Sequence, residues 1–592
     1  MTRSPADPLP DRTPVPRTET AITTTSSPEQ QAEAEQPADA APPAWRQRLD
    51  RWLQPTTLLV VLAALPPLLM ARRIHQDTQL NYQDYWVSML RIAHPDGGLH
   101  LRGLFTYQNE HPFVIPQIFF YADARLLSGT NHELGFLTLL LGVASLVVLW
   151  LLLPNRWNPL IRGLMLLVSS LVLFCPAGAW NFVRGMSGNS WITANLFALV
   201  AILFASRRRT VLALVAAALS LLSYGTGFGA PVAIIVIALL RRDRRWRWLL
   251  PLGMLLGAAV LYKATVPQGT SGPHGHDPGL LLQTMLSNIG QLWDPTAGST
   301  GVLLGAAGLA VAVACGLRYH SGRLNDQYAD LVPWWGVLVY SLIASMLISL
   351  ARSQAFAGDG AQSRYVSLSA LFWISLAVLA LRLSTTPREL VLRGIAIGVA
   401  VLVFWGVSPT LFNVAISQSP RQDEIAAGLR FGAVDPFGAN VFQPRQQIPR
   451  LKAMHDYPFN DSYTVGCGVK PDASIDMAKV RTLPKNLFPQ FGALDSDTVT
   501  GDARQLRGWL FRPFNPTKCA FLVDSTGKVV GGGSAAMPRS DVAALNPSFG
   551  ATAGFELVTP ASQADAIPIF GFSDGFYRLP ASANPAAPGT PK

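Results

Sequence analysis

The sequence has few cysteines and few charged residues. Four cysteines among 592 residues exclude a disulfide-rich scaffold, and none has metal-ligand spacing. Only 14% of the residues are charged and 49% are hydrophobic, which is too apolar for an ordinary soluble protein. The chain also lacks a Walker motif, a nucleophile elbow and a Cys/His pair with catalytic spacing. These absences favour a polytopic membrane protein.

Residues 1–45 contain almost no large apolar side chains. Their Pro, Ala, Thr, Glu and Gln cannot bury enough surface to offset chain entropy, so we expect a disordered tail. The first apolar run begins near Thr57, which is too late for a signal peptide. The net charge is +11, but the basic residues form short Arg clusters between apolar runs. That placement indicates membrane topology and predicts no nucleic acid partner.

The apolar runs predict membrane-spanning helices. A span needs ~20 mainly apolar residues, and eleven runs are candidates. They are centred near residues 63, 143, 169, 197, 217, 235, 257, 307, 341, 374 and 400. The runs near 217 and 235 are short, so the count could change by one or two. The predicted transmembrane domain is 46–410.

Arginine placement predicts the orientation of these helices. Fifteen arginines lie in the short loops on one side of the predicted membrane, and only Arg184, Arg352 and Arg364 lie in those on the other. The positive-inside rule then predicts a cytoplasmic N-terminus. It puts the long loop at 72–133, and everything after about Ser408, on the extracytoplasmic side.

The first outer loop, 72–133, carries the main candidates for chemistry. A carboxylate just outside the membrane, such as Asp84 beside Trp86, can act as a general base, whereas a capping or solvated Asp is the alternative. Glu110 and His111 form a second acid/base pair. The pattern over Ile115 to Leu127 is typical of a helix with one apolar face, either in the membrane interface or as a buried connection.

Several basic and polar residues at outer helix ends could bind an anion. Arg364 and Tyr365 open the tenth apolar run, and Arg is suited to bidentate phosphate contacts. Asn181 and Arg184, after the third run, could join the same cleft. Lys263 ends the seventh run. The alternative for these basic side chains is snorkelling to the membrane interface.

Two other patterns are weaker. His274, His276 and Asp277 suggest zinc, but they lie in a Gly/Pro-rich loop, so the sequence supports no metal and identifies no cofactor. The glycines at 225, 227 and 229 lack the flanking strand of a dinucleotide fingerprint and indicate a turn between membrane helices.

The chain after the last apolar run changes character. We expect an extracytoplasmic connecting segment at 411–465 and a β-rich domain at 466–592. Phe521 to Val530 gives a hairpin pattern, and the short strands predict a small β-sandwich of ~110 residues. Cys467 and Cys519 both fall in this domain, where an exterior location permits a disulfide. The sequence leaves their bonding open.

The residues together resemble a known class of enzyme. Asp84 in the first outer loop, the motif Asn109-Glu110-His111-Pro112 and the many spans resemble the polytopic GT-C glycosyltransferases, and in particular a group of little-characterised bacterial GT-C-like membrane proteins. Further matching segments are Asn181 to Gly185, Ser223 to Pro231, and Ser363-Arg364-Tyr365 with Leu371-Phe372-Trp373. The C-terminal part, with Gly508-Trp509 and 538–543, is similar to β-domains appended to bacterial glycan enzymes.

The resemblance implies a function at the bacterial plasma membrane. It implies a polyprenyl-phosphate-linked sugar donor and an extracytoplasmic envelope glycan or lipid acceptor. Asp84 would take the acceptor proton, and Arg364 would neutralise the phosphate leaving group. Many GT-C enzymes have paired acidic residues in this loop, whereas Gln83 precedes a single Asp84 here, which leaves the base and any divalent metal open. Alternatives are a transporter or flippase for an envelope precursor and a non-catalytic glycan-binding membrane protein.

Overall fold

The computed structural model describes residues 55–267, 277–294, 299–322, 328–352, 363–407, 419–484, 492–512, 515–545 and 552–580. The predicted tail at 1–45 and the residues His274 and His276 lie outside these ranges. Residues 55–592 belong to one structural unit.

The apolar part of the chain is helical throughout its described ranges. The helices are α1 Pro55–Ala63, α2 Leu65–Gln76, α3 Gln83–Ile92, α4 Val114–Leu126, α5 Asn131–Leu152, α6 Pro159–Leu173, α7 Trp180–Val183, α8 Gly185–Ser206, α9 Thr210–Leu221, α10 Gly229–Leu240, α11 Trp246–Thr265, α12 Pro278–Gly290, α13 Ser299–Gly322, α14 Val332–Arg352, α15 Val366–Arg382 and α16 Pro387–Val407.

Eight helical segments of the described chain are long and apolar enough to cross a membrane, which is consistent with a multi-pass membrane protein. A ninth is reached if α6 and the segment Pro176–Val183, bent by 43°, count as one span. The expected count of eleven was too high. The helix α9 has 12 residues, about 18 Å of helix, whereas ~30 Å of hydrocarbon must be crossed. The segment Gly225–Leu240 is also too short.

The short helices α9 and α10 form a hairpin. At its base, Arg241 donates to the Ser206 carbonyl, and Arg208 Nε lies 3.5 Å from Asp243 Oδ1. At its other end, the Ser220 hydroxyl donates to the Ala194 carbonyl at 2.8 Å, about halfway along α8. The hairpin tip is the 3-10 turn Gly225–Phe228. The tip therefore lies beside the middle of a full-length helix.

The first outer loop is structured. It contains α3, the 3-10 turn Leu101–Phe105, the strands β1 Tyr107–Gln108 and β2 His111–Pro112, and α4. On α4, Ile118 and Leu126 are exposed whereas Gln117 and Asp123 are buried. An apolar face turned outward is the pattern of a helix that lies in a membrane interface, so the structure favours that reading over a buried connection.

The C-terminal part contains a mixed sheet packed with helices. Its helices are α17 Ser419–Phe431, α18 Pro444–Met454 and α19 Ser540–Leu545. Its strands are β3 Arg481–Thr482, β4 Gly492–Thr500, β5 Ala503–Leu510, β6 Cys519–Val523, β7 Val529–Met537, β8 Gly554–Pro560, β9 Ile567–Phe572 and β10 Gly575–Arg578.

These eight strands form one sheet in the order β3-β10-β9-β6-β7-β8-β5-β4. The β-rich C-terminal part is thus confirmed, but its described strands form a single sheet where a two-sheet sandwich was expected. The reason is that β6 and β7 continue one hydrogen-bonded ladder between β9 and β8. Cys467 and Cys519 form a disulfide, with their Cα atoms 5.7 Å apart.

One hydrophobic core joins the first outer loop to the C-terminal part. Trp86 and Phe120 from the loop share a cluster with Phe437 from the connecting segment and Phe521 from the sheet. The helix α17 also packs on β7. The loop with the candidate residues is therefore held between the membrane helices and the sheet.

Candidate functional site

Two adjoining cavities meet at the first outer loop. The polar cavity, of about 80 Å³, is lined by residues that include Asp84, Arg184 and Arg364. The apolar cavity, of about 230 Å³, lies between α11 and α14, with Tyr262 and Ile348 in its wall. Both cavities are lined by His111, Trp191 and Tyr224. These shared residues make the two cavities neighbours.

The boundary between the cavities is a row of aromatic rings. The His111 and Tyr224 ring centroids are 3.9 Å apart, and so are those of Tyr224 and Trp191. Trp191 then meets Tyr365 edge-on at 4.8 Å. His111 comes from β2, Tyr224 from the hairpin tip, Trp191 from α8 and Tyr365 from the turn before α15. Four separate segments thus converge on this aromatic row.

Asp84 lies in the first turn of α3, and its side chain is open to water through the polar cavity. Burial by the surrounding protein raises the pKa of this carboxyl, while the charges of Arg364, Arg352 and Arg91 oppose the rise. No side-chain hydrogen bond caps α3 within the described structure. The geometry therefore disfavours the capping alternative and leaves an accessible carboxylate beside cationic groups.

Glu110 and His111 belong to the wall of the apolar cavity. The Glu110 Oε1 atom lies 2.9 Å from Arg352 Nη2 and 3.2 Å from His111 Nε2. Burial, together with the charges of Arg352 and Arg364, lowers the pKa of His111 to about 3. His111 is therefore neutral near pH 7, and Arg352 is the cation that pairs with Glu110. This pairing makes Glu110 a weaker candidate than Asp84 for proton transfer.

Arg364 also lines the polar cavity. Its guanidinium lies 5.2 Å from the centroid of the Tyr365 ring, and its buried Nε atom has no hydrogen-bond partner among the described residues. Asn181 is fully buried and donates to the Ser363 carbonyl at 3.4 Å, which holds the turn that carries Arg364. Arg364 thus places a guanidinium in the cavity wall, and a guanidinium is suited to an anionic oxygen.

Arg184 is held by aromatic rings in the same cavity. Its guanidinium carbon lies 3.3 Å from the centroid of the Trp180 ring and 4.3 Å from that of Tyr82. These contacts fix the direction of the charge. Together with Arg364, Arg184 gives the polar cavity an excess of positive charge around Asp84.

Three predicted binding residues line neither cavity: Asn181, Trp86 and Lys263. Asn181 instead supports the turn that carries Arg364, through its hydrogen bond to the Ser363 carbonyl. Trp86 is buried, and its indole N–H donates to the Asn81 carbonyl at 3.1 Å. Residues two apart on a helix point in nearly opposite directions, so Trp86 faces the core while Asp84 faces the cavity. Lys263 is exposed near the end of α11, where Tyr262 lines the apolar cavity instead.

Other residues at the site were not found from the sequence. Arg91 and Arg352 both act on the Asp84 charge, and Tyr224 and Trp191 form the centre of the aromatic row. Arg352 did carry a signal, because it is one of only three arginines in the predicted outer short loops. Tyr224 falls in the matching segment Ser223 to Pro231 but was not singled out, and Trp191 carried no signal, because apolar runs contain many aromatic residues that only pack.

The described residues give no support for a bound metal. No group of three or more His, Cys, Asp or Glu side chains in the described ranges is placed to hold an ion. Asp277, the described member of the zinc hypothesis, accepts hydrogen bonds from the backbone N–H groups of Gly279 and Leu280 and so caps α12. The histidines of that hypothesis, His274 and His276, lie outside the described residues.

Comparison with protein-family models, with curated proteins and with solved structures finds no match to this chain. The functional argument therefore depends on the chemistry of the two cavities.

Proposed function

We propose that this chain is a membrane glycosyltransferase that moves a sugar from a polyprenyl-phosphate donor to an extracytoplasmic envelope glycan or lipid. One observation carries the proposal: a polar cavity with a carboxylate and two arginines adjoins an apolar cavity between membrane helices. A lipid-linked sugar needs both surroundings, because its phosphate is anionic and its chain is apolar. The adjoining cavities would receive the two parts at once.

The polar cavity supplies the groups that transfer requires. The oxygen of the acceptor hydroxyl forms a bond to the anomeric carbon while the bond between that carbon and the phosphate oxygen breaks. Asp84 accepts the hydroxyl proton, and the phosphate leaves with the bonding electron pair as polyprenyl phosphate. Arg364 stabilises the charge that develops on the leaving oxygen, since its Nε–H is buried and unpaired.

The apolar cavity is suited to the first part of the lipid chain. Phe228, Ala259, Tyr262 and Leu347 line it, and α11 contributes to its wall. Only 6% of the apolar window of α11 is buried inside the protein, so much of this helix faces outward. A lipid chain could therefore leave the cavity sideways past α11 into the bilayer.

The substitution Asp84→Asn tests the proposal. We expect transfer to fall by about 10²- to 10⁴-fold because the general base is lost, with little effect on folding because the side chain is accessible to water. The assay is label transfer by the purified full chain in lipid nanodiscs. Its donor is a radiolabelled polyprenyl-phosphate sugar fraction, and its acceptor is envelope glycan, both from the encoding organism.

A matched control and a lipid measurement complete the test. The substitution Asp565→Asn changes an exposed acid that lines neither cavity and should leave transfer unchanged. Equal transfer by Asp84→Asn and the parent chain would exclude Asp84 as the base. No transfer by the parent chain, with no polyprenyl phosphate among the co-purified lipids, would refute the proposal. Lipid movement across proteoliposomes without sugar transfer would identify a flippase instead.

A further inference from the structure

A third and much larger cavity lies on the side of the first outer loop that faces the sheet. This distal cavity, of about 950 Å³, is formed between the first outer loop and the sheet. Its walls include Asp77 and Gln79 of the loop, Asp423 of α17, Ser462 of the connecting segment, and Lys518 and Ala536 of the sheet. The proposed transfer reaction does not use it.

Strands β6 and β7 separate where they meet the distal cavity. Their described pairing ends at Phe521 with Gly532, although β6 begins at Cys519 and β7 continues to Met537. On the other side of β7, the pairing with β8 is interrupted between Ser534 and Met537. The segment from Gly533 to Ala536 lines the cavity. Within the described register, this segment has no ladder partner on β6, although the Ala536 N–H donates to the Ser534 hydroxyl at 3.3 Å.

The side chains of the distal cavity are polar with balanced charge. Arg73 and Lys518 share the wall with two carboxyl groups, those of Asp77 and Asp423, and with His75 and His132. Hydroxyl and amide groups make up much of the remaining wall: Gln76, Thr78, Gln79, Ser462, Thr464 and Ser534. Burial raises the pKa of Asp423 to about 7. Near neutral pH this carboxyl is therefore protonated in part of the molecules, where it can donate a hydrogen bond. A phosphate or acidic ligand would need an excess of cations, which this described wall lacks.

The Tyr82 side chain links the wall of the distal cavity to that of the polar cavity. The Tyr82 hydroxyl donates to the Asp77 carboxylate at 3.3 Å, and the Tyr82 ring packs against the Arg184 guanidinium. Asp77 lines the distal cavity, while Tyr82 and Arg184 line the polar cavity. A ligand in the distal cavity would therefore lie next to the site of the proposed reaction.

We propose that the distal cavity binds a neutral oligosaccharide segment, the part of an acceptor glycan that is remote from its reacting end. Uncharged hydroxyl groups match the hydroxyl, amide and backbone groups of the wall, and the volume is at the upper end of that of small-ligand pockets. That this ligand is an acceptor rests on the proposed transferase function, whereas the binding of a neutral oligosaccharide does not.

A large side chain at the cavity wall tests the inference. Ala536 is exposed at the wall, so Ala536→Trp should obstruct ligand binding, whereas Ala564→Trp changes another exposed alanine that does not line the cavity. The probe is the pool of oligosaccharides released from the envelope of the encoding organism, size-fractionated and labelled with a neutral fluorophore. Binding to the full chain in nanodiscs is followed by fluorescence anisotropy. We expect at least tenfold weaker binding for Ala536→Trp and no change for Ala564→Trp.

Several outcomes would overturn the inference. These are a parent chain that shows no saturable binding of the pool, or an Ala536→Trp chain that binds it as the parent does. If a library of extended peptides binds in a manner sensitive to Ala536→Trp while the sugars do not, the open strand edge takes peptides and the inference is wrong. Should Ala536→Trp fail to fold, Ser462→Trp on the opposite wall replaces it.

The same measurement on Asp84→Asn keeps the two proposals distinct. Binding of the pool that survives in this variant, with transfer lost, supports both. Binding without any transfer by the parent chain retains the distal site and refutes the transferase. Transfer by the parent chain with no effect of Ala536→Trp on binding refutes the distal site alone.

Discussion

The ion pair between Glu110 and Arg352 should stabilise the closed wall of the apolar cavity. Glu110 lies on the loop between β1 and β2, and Arg352 is the last residue of α14, so the pair joins the outer loop to a membrane helix. Glu110→Gln keeps the size of the side chain and removes its charge. His111 beside it cannot replace the lost attraction, because its neutral imidazole carries no charge and a protonated one would repel Arg352.

The size of the effect follows from the 2.9 Å separation. At an effective dielectric constant of about 20, two unit charges at that distance attract by about 6 kcal/mol before the cost of dehydration. Removing one partner of a buried pair typically costs about 3–5 kcal/mol. The Arg352 side chain is 22% exposed, so water can partly solvate the orphaned cation. We therefore expect a loss of about 2 kcal/mol for Glu110→Gln.

A double-mutant cycle measures this coupling. Thermal denaturation of the detergent-solubilised parent, Glu110→Gln, Arg352→Gln and double variants is followed by the loss of the monodisperse peak in size-exclusion chromatography. Each single variant should melt a few degrees lower. The double variant should lose much less than the sum, because it has no orphaned charge. Additive shifts would show that the pair contributes no interaction energy and would refute the reasoning.

Two further predictions concern the aromatic row. The pKa of His111 falls from its ordinary 6.5 to about 3 on folding, so its contribution to stability is complete above pH 6.5 and declines as the pH drops towards 3, by up to about 1.4 kcal/mol per pH unit. His111→Gln removes this contribution, so the melting temperature of the parent chain should fall more between pH 7 and pH 5 than that of the variant. Equal falls would contradict a neutral His111. A Cβ at Gly225 would lie 2.8 Å from His111 Nδ1, so Gly225→Ala should displace the imidazole and lower the melting temperature, whereas Gly253→Ala in α11, where a Cβ meets no atom within 4 Å, should not. Equal melting temperatures for the two glycine variants would show that the imidazole has room to move.

The helices were largely predictable, but the number of spans was not. Each of the eleven apolar runs contains at least one helix, because twenty apolar residues with few helix breakers have few alternatives. The two runs near 217 and 235 were counted as spans because composition does not show where a helix stops. The turn Gly225–Phe228 lies between the helices α9 and α10, keeps both of them short and joins them as a hairpin. The helix α12 was missed, since its 13 residues are too short for the span criterion.

The site was only partly predictable. Asp84, Arg184 and Arg364 line one cavity, as expected from their common outer location. Trp86 adjoins Asp84 in the chain but faces the core, which follows from helical phase once the start of α3 is known. The Glu110–Arg352 pair joins residues 242 positions apart, and no local pattern reveals such a contact. The distal cavity depends on where two strands part, which only the three-dimensional structure shows.

The hairpin tip also fixes the depth of the site. Tyr224 at the tip stacks on Trp191, which is six residues, or about 9 Å, along α8 from its first residue, Gly185. The aromatic row is therefore recessed by about 9 Å from that end of α8. A carrier lipid held at a site above the headgroups would have to lift part of its chain into water, at about 0.8 kcal/mol for each exposed methylene. For five such groups the penalty would be about 4 kcal/mol, nearly a thousandfold in occupancy. For the carrier lipid of the proposed reaction, a recessed aromatic row would reduce that penalty, because it brings the polar cavity closer to the level of the lipid chain.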